Sequence, residues 1–173
     1  PDFYLKGMKI NFSTYTITST TSLVAGYEPN TVLIFETDEE FVSWAKEKQD
    51  RNALLKAHDD MDRLRQYGAQ HGLIDNEEAT QAYMQSMRAT QRVSLVSILY
   101  RDYDFSGDTY TIPGVPWPSL GSFNDEASSV EDILSLTVLC SRTWFRGSKF
   151  YLVSVPFRRI PDLSEYGFDD NTR

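Results

Sequence analysis

The first part of the chain has the alternation of β-strands. Apolar residues alternate imperfectly with serine and threonine in MKINFSTYTITST (8–20), and TVLIFET (31–37) is rich in β-branched and aromatic residues. Both features are typical of strands. The segment GYEPN (26–30) between them has the composition of a turn. The sequence therefore predicts short strands within residues 8–36.

Residues 37–91 have the periodicity of amphipathic helices instead. Along ALLKAHDDMDRLRQYG (53–68), apolar or aromatic positions recur mostly at steps of three or four residues. These positions are Leu54, Leu55, His58, Met61, Leu64 and Tyr67. Either Gly68 or Gly72 can end this helix, because glycine adopts the left-handed conformation of a C-terminal cap. Two or three helices are expected here.

Two capping boxes mark where helices should begin. Thr37 with Glu40 fits the first box, and Asp75 with Glu78 fits the second. In such a box, the first side chain accepts a hydrogen bond from the backbone N–H three residues later. The sequence therefore predicts one helix after Thr37 and a second helix, EEATQAYMQSMRAT (77–90), opened by the Asp75 box.

Residues 92–173 return to a strand pattern and contain an internal repeat. LYRDYDFSGDTYTI (99–112) aligns with LCSRTWFRGSKFYL (139–152), and PSLGSFND (118–125) aligns with PDLSEYGFDD (161–170) after an insertion. The aligned pairs include Leu99 with Leu139, Phe105 with Phe145, Gly107 with Gly147, Pro118 with Pro161 and Phe123 with Phe168. One copy of strand, glycine turn and strand cannot bury its apolar face alone, so two copies should pack as a Greek-key sandwich.

A polar loop follows the first copy and allows two interpretations. Asn124-Asp125-Glu126-Ala127-Ser128-Ser129 can be a loop that holds a cation. Ser128 with Glu131 also fits a capping box, so the same residues can open a helix. The second copy favours the loop, because a helix cap does not explain a repeated aromatic and glycine.

With these motifs, residues 93–173 resemble the βγ-crystallin family. Its Greek-key motif has an aromatic residue, a second aromatic about five residues on, and a glycine two further. It ends in a calcium signature of two Asn or Asp, two variable residues, Ser or Thr, and Ser. The first copy supplies Tyr100, Phe105, Gly107 and the complete signature 124–129. The second copy departs from the pattern, with Cys140 for the first aromatic and Arg173 at the hydroxyl position.

The resemblance implies two adjacent Ca²⁺ sites that exchange ligands between the copies. The first site would take the Arg101 carbonyl, the Glu126 carbonyl, the Ser128 hydroxyl and the Asp170 carboxylate. The second site would take the Ser141 carbonyl, the Asn171 carbonyl and the Asp125 carboxylate. Oxygen ligands of this kind suit calcium, a hard cation with loose geometry. Because Arg173 cannot ligate, we expect one good site and one weak or empty site.

The resemblance also implies a fourth strand after the second signature, for which the sequence supplies no residues after Arg173. TVLIFET (31–37) is a candidate to fill the resulting open edge. An unfilled edge would otherwise favour pairing with another chain.

Composition limits the partners and the chemistry. The formal net charge is −8 and the isoelectric point is about 4.7, which argues against nucleic acid or an anionic membrane as a partner. Cys140 is the single cysteine, so no intrachain disulfide can form. His58 and His71 lack metal spacing and are expected at surface or half-buried helix positions. No catalytic motif is present, and we do not expect an enzyme.

The predicted fold class is α+β: a C-terminal crystallin-like Greek-key sandwich preceded by short strands and an amphipathic helical segment. The predicted domains are residues 1–91 and 92–173, the latter with motifs at 95–136 and 137–173. The expected function is a calcium-binding structural or interaction protein. Its protein partner would bind the helical region or an open sheet edge. A calcium site of moderate affinity favours a secreted or extracytoplasmic location. The alternative is a secreted proteinase inhibitor acting through PGVPWPSLG (113–121).

Overall fold

The computed structural model describes residues 1–90, 95–132, 136–153 and 159–168. Within them the helices are α1 (Asp38–Lys46), α2 (Asn52–Gln70) and α3 (Glu77–Thr90). The strands are β1 (Asp2–Leu5), β2 (Met8–Ile10), β3 (Ser22–Ala25), β4 (Thr31–Phe35), β5 (Leu95–Asp102), β6 (Ser106–Pro113), β7 (Ser129–Asp132), β8 (Leu136–Arg142), β9 (Arg146–Val153) and β10 (Arg159–Ile160). The predicted α+β class is confirmed.

The strands form two sheets. The first sheet has the order β2-β1-β4-β3-β9-β8, and the second has the order β10-β7-β5-β6. Pairing is parallel between β1 and β4 and between β3 and β9. The other strand pairs are antiparallel. The first sheet therefore combines strands from the beginning of the chain with the β8–β9 hairpin.

The two sheets and the helices form three layers. Leu23, Phe150 and Leu152 of the first sheet share one buried cluster with Leu99 and Val130 of the second. On the other face of the first sheet, a second cluster joins strand residues to α1 and α2. It contains Val24, Phe41, Leu54, Met61, Cys140, Phe145 and Tyr151. Because the first sheet is covered on both faces, all four residues of β3 and the five successive residues Ser148–Leu152 of β9 are buried.

The internal repeat is visible in the backbone. Asp104, Phe105 and Gly107 have φ angles of 54°, 60° and 77°, and the residues 40 positions later have 56°, 59° and 76°. The β5–β6 and β8–β9 pairings also correspond, with Leu99 opposite Tyr110 and Leu139 opposite Phe150. The two copies therefore share one hairpin geometry, as the aligned glycines predict.

The hairpins also exchange backbone contacts between the copies. The Asp104 amide donates to the Pro161 carbonyl at 3.0 Å, and the Trp144 amide donates to the Pro118 carbonyl at 2.7 Å. The Ser97 and Thr137 hydroxyls, which occupy equivalent positions in β5 and β8, are hydrogen-bonded to each other. These reciprocal bonds indicate that the copies are related by an approximate two-fold axis.

The helix boundaries confirm the first capping prediction and correct the second. The Thr37 hydroxyl accepts a hydrogen bond from the Glu40 amide at 3.2 Å. At α3, however, the side chain that accepts is Asn76, from the Ala79 amide at 3.1 Å. Asp75 instead adopts a φ of 60° and pairs with Arg146. The predicted helix 77–90 therefore coincides with α3, but its capping residue is Asn76 and not Asp75.

Gly72, rather than Gly68, ends α2. Gly72 has a φ of 65°, and the Leu73 amide donates to the Gly68 carbonyl at 2.9 Å. This is the hydrogen bond of a glycine-terminated helix.

Among the described helices, none combines the length and hydropathy that a membrane crossing requires.

The prediction that TVLIFET fills the open edge of the second motif was wrong. Thr31–Phe35 pairs with β1 and β3, and the strand that pairs with the β8–β9 hairpin is β3. Moreover, β3 pairs with β9, on the side of the hairpin away from β8. The N-terminal strands thus extend the opposite edge of the sheet.

The division of the chain at residue 91 stays a prediction, and strands from both sides of it share this sheet.

Gly68 lies inside α2 because the helix packs directly on an aromatic ring. A β-carbon added at Gly68 would lie 2.5 Å from Cε3 of Trp144. Gly68→Ala should therefore lower stability by about 1–3 kcal/mol through overpacking. In a free helix the same change would raise stability by about 1 kcal/mol.

Urea unfolding tests whether overpacking on Trp144 outweighs the gain in helix propensity. The two variants to compare are Gly68→Ala and Ala69→Gly, the latter at the neighbouring exposed position. Ala69→Gly should lose only the helix propensity of about 1 kcal/mol. A stabilised Gly68→Ala protein would contradict the close packing on Trp144.

Candidate functional site

The loop after the first hairpin is not the start of a helix. Residues 129–132 form β7, which pairs with β5 and places Ser129 opposite Tyr100. The helix interpretation of Ser128 with Glu131 was therefore wrong. Glu131 instead accepts a hydrogen bond from the Tyr100 hydroxyl at 3.1 Å.

Asn124 begins the loop, and its side chain bonds to residues that precede it. The Asn124 side chain accepts a hydrogen bond from the Leu120 amide at 3.0 Å and donates to the Ser119 hydroxyl at 3.3 Å. Asp125 follows with a φ of 59°, a left-handed conformation that aspartate tolerates better than most residues. The first two signature residues thus turn the chain, and Glu126 comes directly after the turn.

The two serines of the signature have different roles. The Ser129 hydroxyl donates to the Asp102 carbonyl at 2.7 Å and accepts from the Phe105 amide at 3.1 Å. It therefore ties β7 to the β5–β6 hairpin. The Ser128 backbone is also fixed, because its amide donates to the Tyr100 carbonyl at 2.9 Å. Among the hydrogen bonds of the described residues, none involves the Ser128 hydroxyl.

Charged side chains surround this loop at the surface. The Arg101 guanidinium lies 3.2 Å from the Glu126 carboxylate and 2.7 Å from the Asp108 carboxylate. Both carboxylates are largely exposed, so these pairs contribute little stability. They do show that Arg101 and Glu126, two residues predicted to offer carbonyls to the same ion, are neighbours.

The second predicted site is only partly described. The Ser141 hydroxyl accepts a hydrogen bond from the Ser148 amide at 2.9 Å, which fixes the start of the second hairpin. Asp170 and Asn171 lie outside the described residues, so their predicted ligand roles stay predictions. Asp125 lies in the loop of the first copy, on the turn described above.

The donor set of the first site fits a hard cation as far as it is described. Two backbone carbonyls and one hydroxyl are oxygen donors, which calcium accepts. Among the described residues, no group of three or more His, Cys, Asp or Glu side chains could hold a metal. A site built mainly from carbonyls does not depend on such a group. Ser128 favours the fit, because its backbone is fixed at both the amide and the carbonyl and no hydrogen bond among the described residues engages its hydroxyl.

The segment predicted to act as an inhibitory loop is mostly buried around its tryptophan. Trp117 is 9% exposed, and its indole N–H donates to the Tyr110 hydroxyl at 2.7 Å. Ser119 and Leu120 are also buried. A loop that enters a protease cleft must present side chains to solvent, so this geometry adds no support to the inhibitor alternative, which stays a prediction.

His58 is buried, not at the surface or half-buried as expected. Its ring is 3.9 Å from Asp38 and 3.8 Å from Asp62, and Lys149 lies 3.6 Å from the same Asp38 oxygen. Neither ring nitrogen of His58, nor the buried Tyr151 hydroxyl, has a hydrogen-bond partner among the described residues. The helical spacing of His58 with Leu54 and Met61 was the signal of burial.

Cys140 lies in β8 and is buried. Burial raises the pKa of its thiol to about 11. The thiol therefore stays protonated at neutral pH and is a poor nucleophile.

Comparison with known proteins identifies similar solved structures. The chain is similar to a βγ-crystallin from Ciona intestinalis at 22% identity, covering 44% of this chain and 90% of that chain, with a TM-score of 0.38. A structure titled for the evolution of the eye lens βγ-crystallin domain fold is similar at 20% identity, covering 47% and 83% of the two chains, with a TM-score of 0.40. A βγ-crystallin from an archaeon is similar at 14% identity, covering 46% and 92%, with a TM-score of 0.37. No protein-family model and no curated protein matches the sequence.

Proposed function

We propose that this protein is a calcium-binding structural or interaction protein of the βγ-crystallin type, in which Ca²⁺ stabilises the Greek-key sandwich. The observation that carries the proposal is the division of roles between Ser128 and Ser129. Ser129 fixes β7 to the hairpin through two hydrogen bonds of its hydroxyl. Ser128 is fixed only through its backbone amide and carbonyl, and no hydrogen bond among the described residues involves its hydroxyl.

The residues of the first site would each have a defined task. The Arg101 and Glu126 carbonyls and the Ser128 hydroxyl would hold the ion on one side. Asp170 would bring the carboxylate from the second copy. The second site, with Ser141, Asn171 and Asp125, would bind more weakly, because Arg173 replaces the hydroxyl with a positive charge.

Calcium would stabilise the protein because the site joins residues that are distant in sequence. The loop 124–128 is held near Arg101 only when β5 and β7 are paired. An ion that binds the folded chain and not the unfolded chain adds RT ln(1 + [Ca²⁺]/Kd), about 2.7 kcal/mol at a hundredfold excess over Kd. Calcium binding would thus raise the free energy of unfolding of the sandwich.

A melting curve in EDTA and then in millimolar calcium tests the proposal. The wild-type melting temperature should rise with calcium, by roughly 2–4 °C for each kcal/mol gained. Ser128→Ala should lose most of this rise while melting close to wild type in EDTA, because that hydroxyl supports no bond within the described fold. Isothermal titration calorimetry should show a correspondingly weaker affinity.

Ser86→Ala is the matched control, because Ser86 is an exposed serine on α3 whose hydroxyl bonds only to the Tyr83 carbonyl among described residues. It should retain the full calcium response. A wild-type protein that melts at one temperature with and without calcium would refute calcium binding. An equal response in Ser128→Ala would refute the role of Ser128.

The proposal includes an exported setting and a non-enzymatic role. Extracellular calcium modules bind in the range of about 10⁻⁴–10⁻³ M, which suits a site with few acidic ligands. Such a site would be filled outside the cell and nearly empty in a resting cytosol.

A further inference from the structure

The side chain of Arg101 lies against the loop that carries the proposed calcium ligands. Its guanidinium is 3.2 Å from the Glu126 carboxylate and 2.7 Å from the Asp108 carboxylate. Its Cζ atom also lies 5.8 Å from the centre of the ring of Phe123, the residue directly before the loop. These three contacts hold one positive charge beside residues 124–128.

The backbone brings the same residue to the first site. The Ser128 amide donates to the Tyr100 carbonyl at 2.9 Å, so the end of the loop lies against the residue that precedes Arg101. The carbonyls of Arg101 and Glu126 are the two backbone ligands proposed for this site. The two residues that would offer these carbonyls are therefore also paired through their charged side chains.

This ion pair acts on a cation in two ways. The guanidinium repels a divalent cation, and it offsets the attraction that the Glu126 carboxylate would exert. The two side chains are 43% and 45% exposed, so water screens the pair and it adds little to the stability of the fold. Over the short distances within one loop, however, a single charge still changes the energy of a bound divalent ion. The effect of Arg101 is therefore expected on cation affinity rather than on folding.

We propose that the Arg101 side chain limits the calcium affinity of the first site, and that its pairing with Glu126 sets the calcium concentration at which the site fills. This inference rests on the proposed function, because it concerns the same site. The ligand that Arg101 would supply belongs to its backbone, whereas the charge belongs to its side chain. A change of the side chain can thus raise affinity without removing a ligand.

Calorimetric titration of Ca²⁺ into Arg101→Gln tests the inference. Glutamine keeps the carbonyl and removes the charge, so the affinity should be about three- to tenfold higher than that of the wild type. Arg63→Gln is the matched control. Arg63 is exposed on α2, in the layer that covers the other face of the first sheet, and it pairs with Asp60 at 2.9 Å. This variant has the same net charge as Arg101→Gln and should bind calcium like the wild type.

Glu126→Gln and the double variant complete the comparison. Glu126→Gln keeps its carbonyl but removes the carboxylate that offsets Arg101, so its affinity should fall by a similar factor. The double variant restores the local charge balance and should bind with nearly wild-type affinity. A melting curve in EDTA establishes that each variant is folded.

Salt separates an electrostatic role from a structural one. The Debye length falls from about 30 Å at 0.01 M salt to about 3 Å at 1 M salt. The affinity difference between Arg101→Gln and the wild type should therefore shrink as salt is added. A side chain that acted only by supporting the loop backbone would give a difference that salt does not change.

The possible failures are distinguishable. If the wild type binds calcium and Arg101→Gln binds it equally or more weakly, the inference is wrong and the proposed function stands. An increase that persists unchanged in 1 M salt would also overturn the electrostatic role. If neither protein binds calcium, the proposed function and the inference fail together. Binding by Arg101→Gln alone would support the inference and refute calcium occupancy of the wild type.

Discussion

Replacing Trp144 with alanine should lower the free energy of unfolding by about 3–5 kcal/mol, the range for removing a buried aromatic side chain. Trp144 is 1% exposed, although it lies at the tip of the β8–β9 hairpin. Its ring packs on Gly68 of α2 and lies 5.4 Å from the ring of Tyr83. Its indole N–H donates to the Thr80 hydroxyl at 2.9 Å. One side chain thus joins the second Greek-key motif to two helices.

The internal repeat supplies a matched control for this change. Asp104 occupies the equivalent position of the first hairpin, with nearly the same φ angle, but it is exposed. Asp104→Ala therefore places alanine in the same left-handed backbone without removing packing, and it should cost only about 1–2 kcal/mol. Urea unfolding of both variants isolates the packing contribution. Equal losses in the two proteins would contradict the assignment of Trp144 as a link to the helices.

Trp144→Phe tests the contribution of the ring packing separately from that of the indole hydrogen bond. Phenylalanine keeps part of the contact with Gly68 but cannot donate to Thr80. Its stability should fall between those of the wild type and Trp144→Ala.

The two repeated hairpins were predictable because their signals are local. Phe105, Gly107 and their partners in the second copy fix a hairpin through φ angles that few residue types adopt. The spacing of the two copies then requires that they pack together. The same reasoning found the loop 124–129, since each of its residues fits a position in one continuous motif.

The arrangement of the N-terminal strands was not predictable in the same way. TVLIFET (31–37) and the segment Ser22–Ala25 are both apolar, and edge pairing depends on backbone hydrogen bonds that all residue types can make. No side-chain pattern in the sequence indicates that β3 pairs with β9. Burial on both faces was similarly hidden, because a strand covered twice has no alternation to detect.

The candidate site was predictable only as a list of residues. Ligand carbonyls such as that of Arg101 have no sequence signal, since any residue offers one. Their identification rested on the family resemblance. The structure adds the two hydrogen bonds by which the Ser129 hydroxyl ties β7 to the hairpin, whereas the motif alone treats Ser128 and Ser129 as two hydroxyls in a row. For His58, in contrast, the sequence did contain the signal. Its helical spacing with Leu54 indicated burial, whereas its polarity suggested exposure.

Residues 92–173 expressed alone should fail to fold as a stable monomer. The face of β8 and β9 that packs under the helices would be uncovered, exposing Cys140, Phe145 and Tyr151. Tyr151 and its neighbours in β9 are fully buried in the whole chain. Burial of a large apolar side chain contributes about 1.5–3 kcal/mol. The combined loss at these residues, at Trp144 and at β3 is therefore comparable to the roughly 5–15 kcal/mol that stabilises a typical domain.

The fragment would also lose the strand that protects its edge. β3 pairs with β9 over four residues, and the Lys149 amide donates to the Thr21 carbonyl at 3.0 Å. Without residues 1–91, β9 becomes an open edge beside an exposed apolar face, a combination that favours aggregation. Circular dichroism and light scattering should show aggregates or a chain without cooperative melting. Co-expression of residues 1–91 as a separate chain should restore a soluble complex, because the missing surface is then supplied in trans. A monomeric fragment with a cooperative transition would instead establish residue 91 as a true domain boundary, and the shared sheet would then be an interface between two independently stable units.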